Sequence, residues 1–201
     1  MRRMSWMTWR IFGLPQGLLG RLGGRILAVE GKEAMVRHVL SELHVAPGEA
    51  VLEVGFGPGV GIRLAAERVG KAGFVAGVDP SDVMLDAATN LNSTGIDRGI
   101  VELKLAGADH LPFPDERFDK AFAMYTLQLW HDTTAGLREM HRTLKPGAQL
   151  LLAGRKRKGI DRVIVLRQIR AAGFGELGVQ EYRGTLLFRA SKRVRAFSNP
   201  E

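Results

Sequence analysis

Residues 51–61 read VLEVGFGPGVG. Apolar residues surround a single carboxylate, Glu53, and glycine then holds positions 55, 57, 59 and 61. The first residues have the make-up of a short buried strand. The glycines call for a chain that turns sharply with almost no side chain. Ile62, Leu64, Ala65 and Val69 follow at helical spacing, so the stretch reads as strand, glycine loop, helix. That sequence of elements opens an α/β unit.

Working outward, the same alternation recurs. Before the loop, Met35, Val36, Val39, Leu40 and Leu43 lie on one face of a helix over 33–44, and Pro47-Gly48 makes a turn. After it come a strand at 74–78 ending on Asp79, a helix over 83–91 capped by Ser81-Asp82, and a strand at 100–105. A loop at 111–114 leads to a strand at 120–126, then to a helix over 133–144 that Lys145-Pro146-Gly147 should stop. A strand at 149–153, a helix over 162–172 ended by Gly173, and two strand-like runs, 178–182 and 185–190, complete the chain. Strands alternating with helices predict a parallel sheet covered on both faces. The last two runs are too close for a helical crossover and predict an antiparallel C-terminal edge strand. The expected fold is therefore α/β, a doubly wound, mostly parallel, seven-stranded sheet. No repeat, low-complexity tract or linker divides it, so residues 33–201 read as one domain preceded by a separate segment, 1–32.

Composition narrows the chemistry. The 201 residues are 45% hydrophobic and 25% charged, which suits a globular domain with a real core. The absence of cysteine removes disulfides, thiolate metal sites and cysteine nucleophiles, and it accords with a cytoplasmic location. Five histidines without metal-ligand spacing give no reason to expect a metal. No apolar run approaches the ~20 residues of a membrane span, and Arg10, Gly13 and Pro15 interrupt any signal-type core. The net charge of +8 admits an acidic partner, and a solvated basic surface explains it equally well.

In a doubly wound sheet, ligands bind beyond the carboxyl ends of the strands where strand order reverses, and the glycine loop belongs there. A dinucleotide needs Gly-x-Gly-x-x-Gly, but counting six from Gly55 reaches Val60 and from Gly57 reaches Ile62. Pro58 also lacks an N–H that could face phosphate. S-adenosylmethionine has no phosphate to cradle and carries an amino-acid end, a ribose and an adenine. Glu53 can organise loop N–H groups or meet an ammonium. Asp79, at the end of the second strand, can accept from ribose hydroxyls.

Four stretches in order, VLEVGFGPGVG, GVDPSDVML, ADHLPFPDERFDKAFAMYTLQLW and REMHRTLKPGAQLLLA, resemble successive motifs of class I S-adenosylmethionine-dependent methyltransferases. The nearest branch is the one with ubiquinone/menaquinone-biosynthesis C-methyltransferases and other small-molecule methyltransferases. The resemblance runs from about residue 33 to 155 and implies a Rossmann-like methyltransferase fold. It also implies that Glu53, Gly55, Gly57 and Gly59 hold the methionine end, Asp79 the ribose, and Pro80 and Met84 the flanks of the adenine. Ala108, through its N–H, and Asp109 would meet the adenine edge, and Tyr125 would stand beside the transferred methyl. The family often has aspartate where this chain has Gly107. Either Asp109 takes over that contact or the bond is missing.

On the acceptor side the candidates are Tyr125, Gln128 and His131, with Trp130 as pocket lining; Tyr182 reads as sheet packing. The expected cofactor is S-adenosylmethionine, leaving as S-adenosylhomocysteine, and the expected acceptor is a small, lipophilic molecule. A nucleic-acid acceptor is disfavoured, because amino-group base methylases usually end the fourth strand in Asn/Asp-Pro-Pro-aromatic, and here it reads Met124-Tyr125-Thr126-Leu127. A binding protein without catalysis is the other reading. Trp6, Met7, Trp9 and Phe12, interleaved with Arg2, Arg3 and Arg10, suit a lid over the site or transient contact with a membrane surface. The run Arg155-Lys156-Arg157-Lys158 adds a basic patch. The sequence leaves monomer or dimer open.

Overall fold

The computed structural model describes residues 33–155 and 160–194. Its elements run α1 (Glu33–Glu42), β1 (Ala50–Val54), α2 (Val60–Val69), β2 (Phe74–Asp79), α3 (Asp82–Leu91), α4 (Ser93–Asp97) and β3 (Val101–Leu105). Then follow β4 (Phe118–Met124), a 3₁₀ turn (Leu127–Leu129), α5 (Thr133–Thr143), β5 (Leu144–Arg155), α6 (Arg162–Ala171), β6 (Phe174–Tyr182) and β7 (Thr185–Lys192). The seven strands form one sheet in the order β3-β2-β1-β4-β5-β7-β6. Strands β1 to β5 are parallel, and β7 runs antiparallel to both β5 and β6. The antiparallel pair is thus where the sequence puts it, but β7 inserts beside β5. The edge strand is β6, and the C-terminal strand lies one place in.

Alternate residues of the strands feed two apolar layers, as the two-residue period requires. Leu52, Ala76, Ala121, Leu150 and Phe188 meet Leu137 and Met140 of α5 and Val165 and Ile169 of α6. Val51, Val75, Phe122, Leu151 and Leu187 meet Val39 and Leu40 of α1, Ile62 and Ala65 of α2 and Val83 and Ala88 of α3. The central strands are buried on both faces, which is why they read as apolar runs without alternation.

Two elements escape the sequence pattern. Helix α4 buries no side chain, so it leaves no apolar period. Helix α5 ends at Thr143, next to the stop that Lys145-Pro146-Gly147 predicts, and those three residues also form an outward kink at the start of β5. Phe118 pairs with Leu144 and Lys120 with Gln149, so the intervening β5 residues loop out around Gly147, whose φ is +81°. Among the described residues no helix is long and apolar enough to cross a membrane.

Strand order reverses between β1 and β4. Strand β1 leads by way of α2 to β2 on one side, while β4 lies on the other. The carboxyl ends of these two strands therefore flank the crevice that such sheets offer to ligands.

Candidate active site

The glycine loop fills that crevice, and each glycine is required for its own reason. Gly55 has φ +82°, and a Cβ there would stand 2.4 Å from Cγ2 of Thr126, so the loop packs directly on the residue after Tyr125. Gly59 has φ +87°, and its Cβ would strike Asn92 and Ala88. Gly61, in the first turn of α2, lies over the carboxylate of Glu53: a Cβ would come within 2.3 Å of Oε1. Glu53 is 4% exposed, and its charge sits against the N-terminal turn of a helix, where the backbone dipole favours an anion. Only Gly57 differs. A Cβ there would meet no atom within 4 Å, so its face of the loop is open to a ligand.

Asp79 fixes this open corner. It is 7% exposed; its Oδ2 accepts from Gly57 N at 2.9 Å and its Oδ1 from Ser81 N at 3.0 Å. Burial pushes its carboxyl above the usual range, and the two N–H donors pull it part of the way back. Asn92, buried, donates from Nδ2 to the carbonyls of Gly59 (3.1 Å) and Ala88 (2.8 Å), pinning the loop to the end of α3. No motif flagged Asn92. An asparagine at a helix end is common, and its 33-residue reach back to Gly59 has no local signature.

Beside Asp79, Ser81 caps α3 by accepting from Met84 N. Pro80 is exposed, whereas Met84 is 3% exposed and belongs to the core between the sheet and α3, so Pro80 is the member of that pair open to a ligand. Ala108 is nearly buried, and its N–H has no hydrogen-bond partner among the described residues. The exposed Asp109 folds back, its Oδ1 2.7 Å from where a Cβ on Gly107 would stand. Its carboxylate thus occupies the direction in which an aspartate at 107 would project. Arg142 holds the loop that follows, donating to the carbonyls of Leu111 and Phe113 and pairing with Asp115 and Glu139.

On the other side of the crevice Tyr125 turns with φ +61°, a strained conformation for a bulky residue. Its N–H donates to Ala153 O (2.7 Å), its carbonyl accepts from Gln128 Nε2 (2.7 Å), and its hydroxyl lies 3.2 Å from Thr185 Oγ1. Gln128 is exposed but holds this turn. His131 is exposed. Trp130, half-buried, packs its ring over Gly136 of α5, and Tyr182 stacks on His38 at 3.8 Å. The segment 1–32 and the basic residues 156–158 lie outside the described residues.

A family model described as "Methyltransferase domain" matches residues 52–152. The uncharacterized methyltransferase YdaC of Bacillus subtilis is 28% identical, the alignment covering 79% of this chain and 89% of that one. The ubiquinone/menaquinone biosynthesis C-methyltransferase UbiE of Stenotrophomonas maltophilia is 37% identical over 58% of this chain, and the match spans only 46% of that enzyme. Among solved structures, a SAM dependent methyltransferase from Aquifex aeolicus superposes with a TM-score of 0.76 at 22% identity, covering 86% of this chain and 98% of that one.

Proposed function

On the strength of the match over residues 52–152 the chain belongs to this methyltransferase family, and we propose that it methylates a small, lipophilic acceptor by direct in-line transfer. Its methyl donor is S-adenosylmethionine. When bound, that cofactor supplies a methyl on a sulfonium, whose leaving group needs no assistance. The observation that carries the reading is the corner built by Gly57 and Asp79: a buried carboxylate at the end of β2 beside the one open glycine of the loop.

The residues present fit the cofactor. Asp79 has the acceptor capacity for ribose hydroxyls once Gly57 N–H is satisfied. Gly55, Gly57 and Gly59 bring bare backbone to the amino-acid end, and Glu53 braces the loop from beneath. Pro80, the free N–H of Ala108 and the carboxylate of Asp109 face the adenine side. The chain's contribution to rate is then placement and exclusion of water, with a base only where the acceptor must lose a proton. Tyr125, Gln128 and His131 stand on the acceptor side for those tasks.

Two features support a small acceptor. The connection from β5 to α6 spans six residues, 156–161, too short for an inserted cap domain. Strand β4 ends at Met124 and the chain continues Tyr125-Thr126-Leu127, without the prolines that grip a flipped base. The test supplies the protein with methyl-labelled S-adenosylmethionine and, separately, a cell's organic-soluble extract and its nucleic acids. Label in the organic fraction supports the reading. Label in nucleic acid alone, or in neither, contradicts it.

A further inference from the structure

The crevice has a second wall beyond Tyr125, formed by the ends of β5 and β7. Arg155, the last residue of β5, places its guanidinium over the Tyr125 ring, 5.2 Å from the centroid. Arg155 is paired in register with Thr185, so their side chains leave the same face of the sheet. Thr185 is 2% exposed and bonds the Tyr125 hydroxyl. Three residues at the ends of three neighbouring strands, Tyr125 just past β4, therefore form one unit: a ring held at its hydroxyl, strained at its backbone and covered by a cation.

The ring face engages none of the five N–H donors of Arg155. Among the described residues the guanidinium pairs with no carboxylate, and the residue is exposed. A second arginine, Arg183, rests on Tyr182 in the adjoining turn, 5.3 Å from that ring, also without a carboxylate among the described residues. Burial first, then Arg189 and Arg183, hold the neighbouring His38 below its ordinary pKa. Among the described residues Arg37, Arg63, Arg117, Arg142 and Arg189 have acidic partners, and Arg155 is one of the arginines that do not.

Position decides what Arg155 can reach. Asp79 ends β2, the glycine loop follows β1, Tyr125 follows β4 and Arg155 ends β5, in the spatial order β2-β1-β4-β5. A ligand with its ribose at Asp79 and its amino-acid end at the glycine loop extends toward β4. One further strand spacing, about 5 Å, separates Arg155 from that end. Resting on the cofactor reading above, we propose that Arg155, set by the Tyr125 ring, is the anion-binding wall of the acceptor pocket, and that the small acceptor joins a lipophilic aromatic ring to one acidic group, a carboxylate or phenolate. A planar fork of donors suits such a group, and an aromatic floor suits the ring that carries it.

The test uses full-length protein loaded with S-adenosylhomocysteine and two probes of one shape, 4-hydroxybenzoate and 4-hydroxybenzamide, with affinities from ligand-observed NMR. The benzoate binds at least tenfold more tightly than the amide, and the preference shrinks as sodium chloride is raised. Arg155→Gln brings the two within twofold while S-adenosylhomocysteine affinity stays unchanged; Arg155→Lys keeps part of the preference. Equal binding of the two probes, no binding of the benzoate, or a preference that survives in Arg155→Gln overturns the proposal. Failure of S-adenosylhomocysteine to bind overturns the cofactor reading beneath it, which separates the two.

Discussion

The carboxyl edge of the sheet is built in two ways. Around β1 and β2 it is made of backbone: loop glycines of which all but Gly57 lack room for a Cβ, and two carboxylates that are almost wholly buried. Around β4, β5 and β7 it is made of side chains: a tyrosine in a strained turn, a glutamine spent on that turn and an exposed arginine on a ring. The first half cannot vary without collision, so it suits an invariant ligand. The second half can change residue by residue, as a variable acceptor demands. Substitutions should therefore separate cleanly, those on the first half striking the cofactor and those on the second leaving it alone.

The largest separation is expected at Asp79. On the proposed site, Asp79→Ala would remove two charge-assisted bonds to the ribose, each worth about 1.5–3 kcal/mol. Affinity for S-adenosylhomocysteine should fall at least tenfold by calorimetry. The melting temperature of the ligand-free protein should move little, because relief from burying a charge offsets the bonds lost to Gly57 and Ser81. Unchanged affinity would place the ribose elsewhere.

The raised pKa of Asp79 gives this a pH signature. The folded state holds the proton more tightly than the unfolded chain does. This group's contribution to ligand-free stability therefore rises as pH falls from its raised pKa toward the ordinary carboxylate value, and levels off below that. Cofactor affinity runs the other way, since ribose hydroxyls need the ionised acceptor. Titrations across that window should show weakening toward acid that vanishes in Asp79→Asn.

Next in size is Gly61→Ala, whose Cβ would be driven into the Glu53 carboxylate. Overpacking of this kind costs about 1–3 kcal/mol, or a melting temperature lower by about 2–12 °C. The loss should shrink when Glu53→Ala is added. Additive losses would mean that the two residues do not touch. Asn92→Ala should cost a comparable amount, about 1–3 kcal/mol for two buried hydrogen bonds, and it should weaken S-adenosylhomocysteine severalfold by loosening Gly59. The smallest effect belongs to the other half. Tyr125→Phe gives up one hydroxyl contact with Thr185, about 1 kcal/mol of stability, and should leave cofactor affinity within twofold. A tenfold loss there would erase the division between the halves.

The same division sets how much was legible beforehand. The parallel strands, the glycine loop, Glu53 and Asp79 can be read from the chain because sterics and burial tie each to a residue type. A left-handed turn under a packed neighbour needs glycine, and an acid that ends a buried strand needs a reason to be there. Helix α4 and the kink at Gly147 were hidden because neither buries a periodic face. Asn92 and Arg142 were hidden because their partners are distant in sequence. The packing of Trp130 on Gly136 of α5 was likewise hidden, because the notch that a glycine leaves for a ring has no sequence period. Arg155 stood in a basic run, where charge gave no sign that a tyrosine ring would hold it.

The division itself is tested most directly by titrating S-adenosylhomocysteine and NAD into the wild-type protein, Asp79→Asn and Arg155→Gln by calorimetry under one set of conditions. One S-adenosylhomocysteine site of micromolar strength, at least tenfold weaker in Asp79→Asn, unaltered in Arg155→Gln and with no heat from NAD, is the predicted result. Equal affinity in the wild type and Asp79→Asn, or binding of NAD in place of S-adenosylhomocysteine, would contradict it.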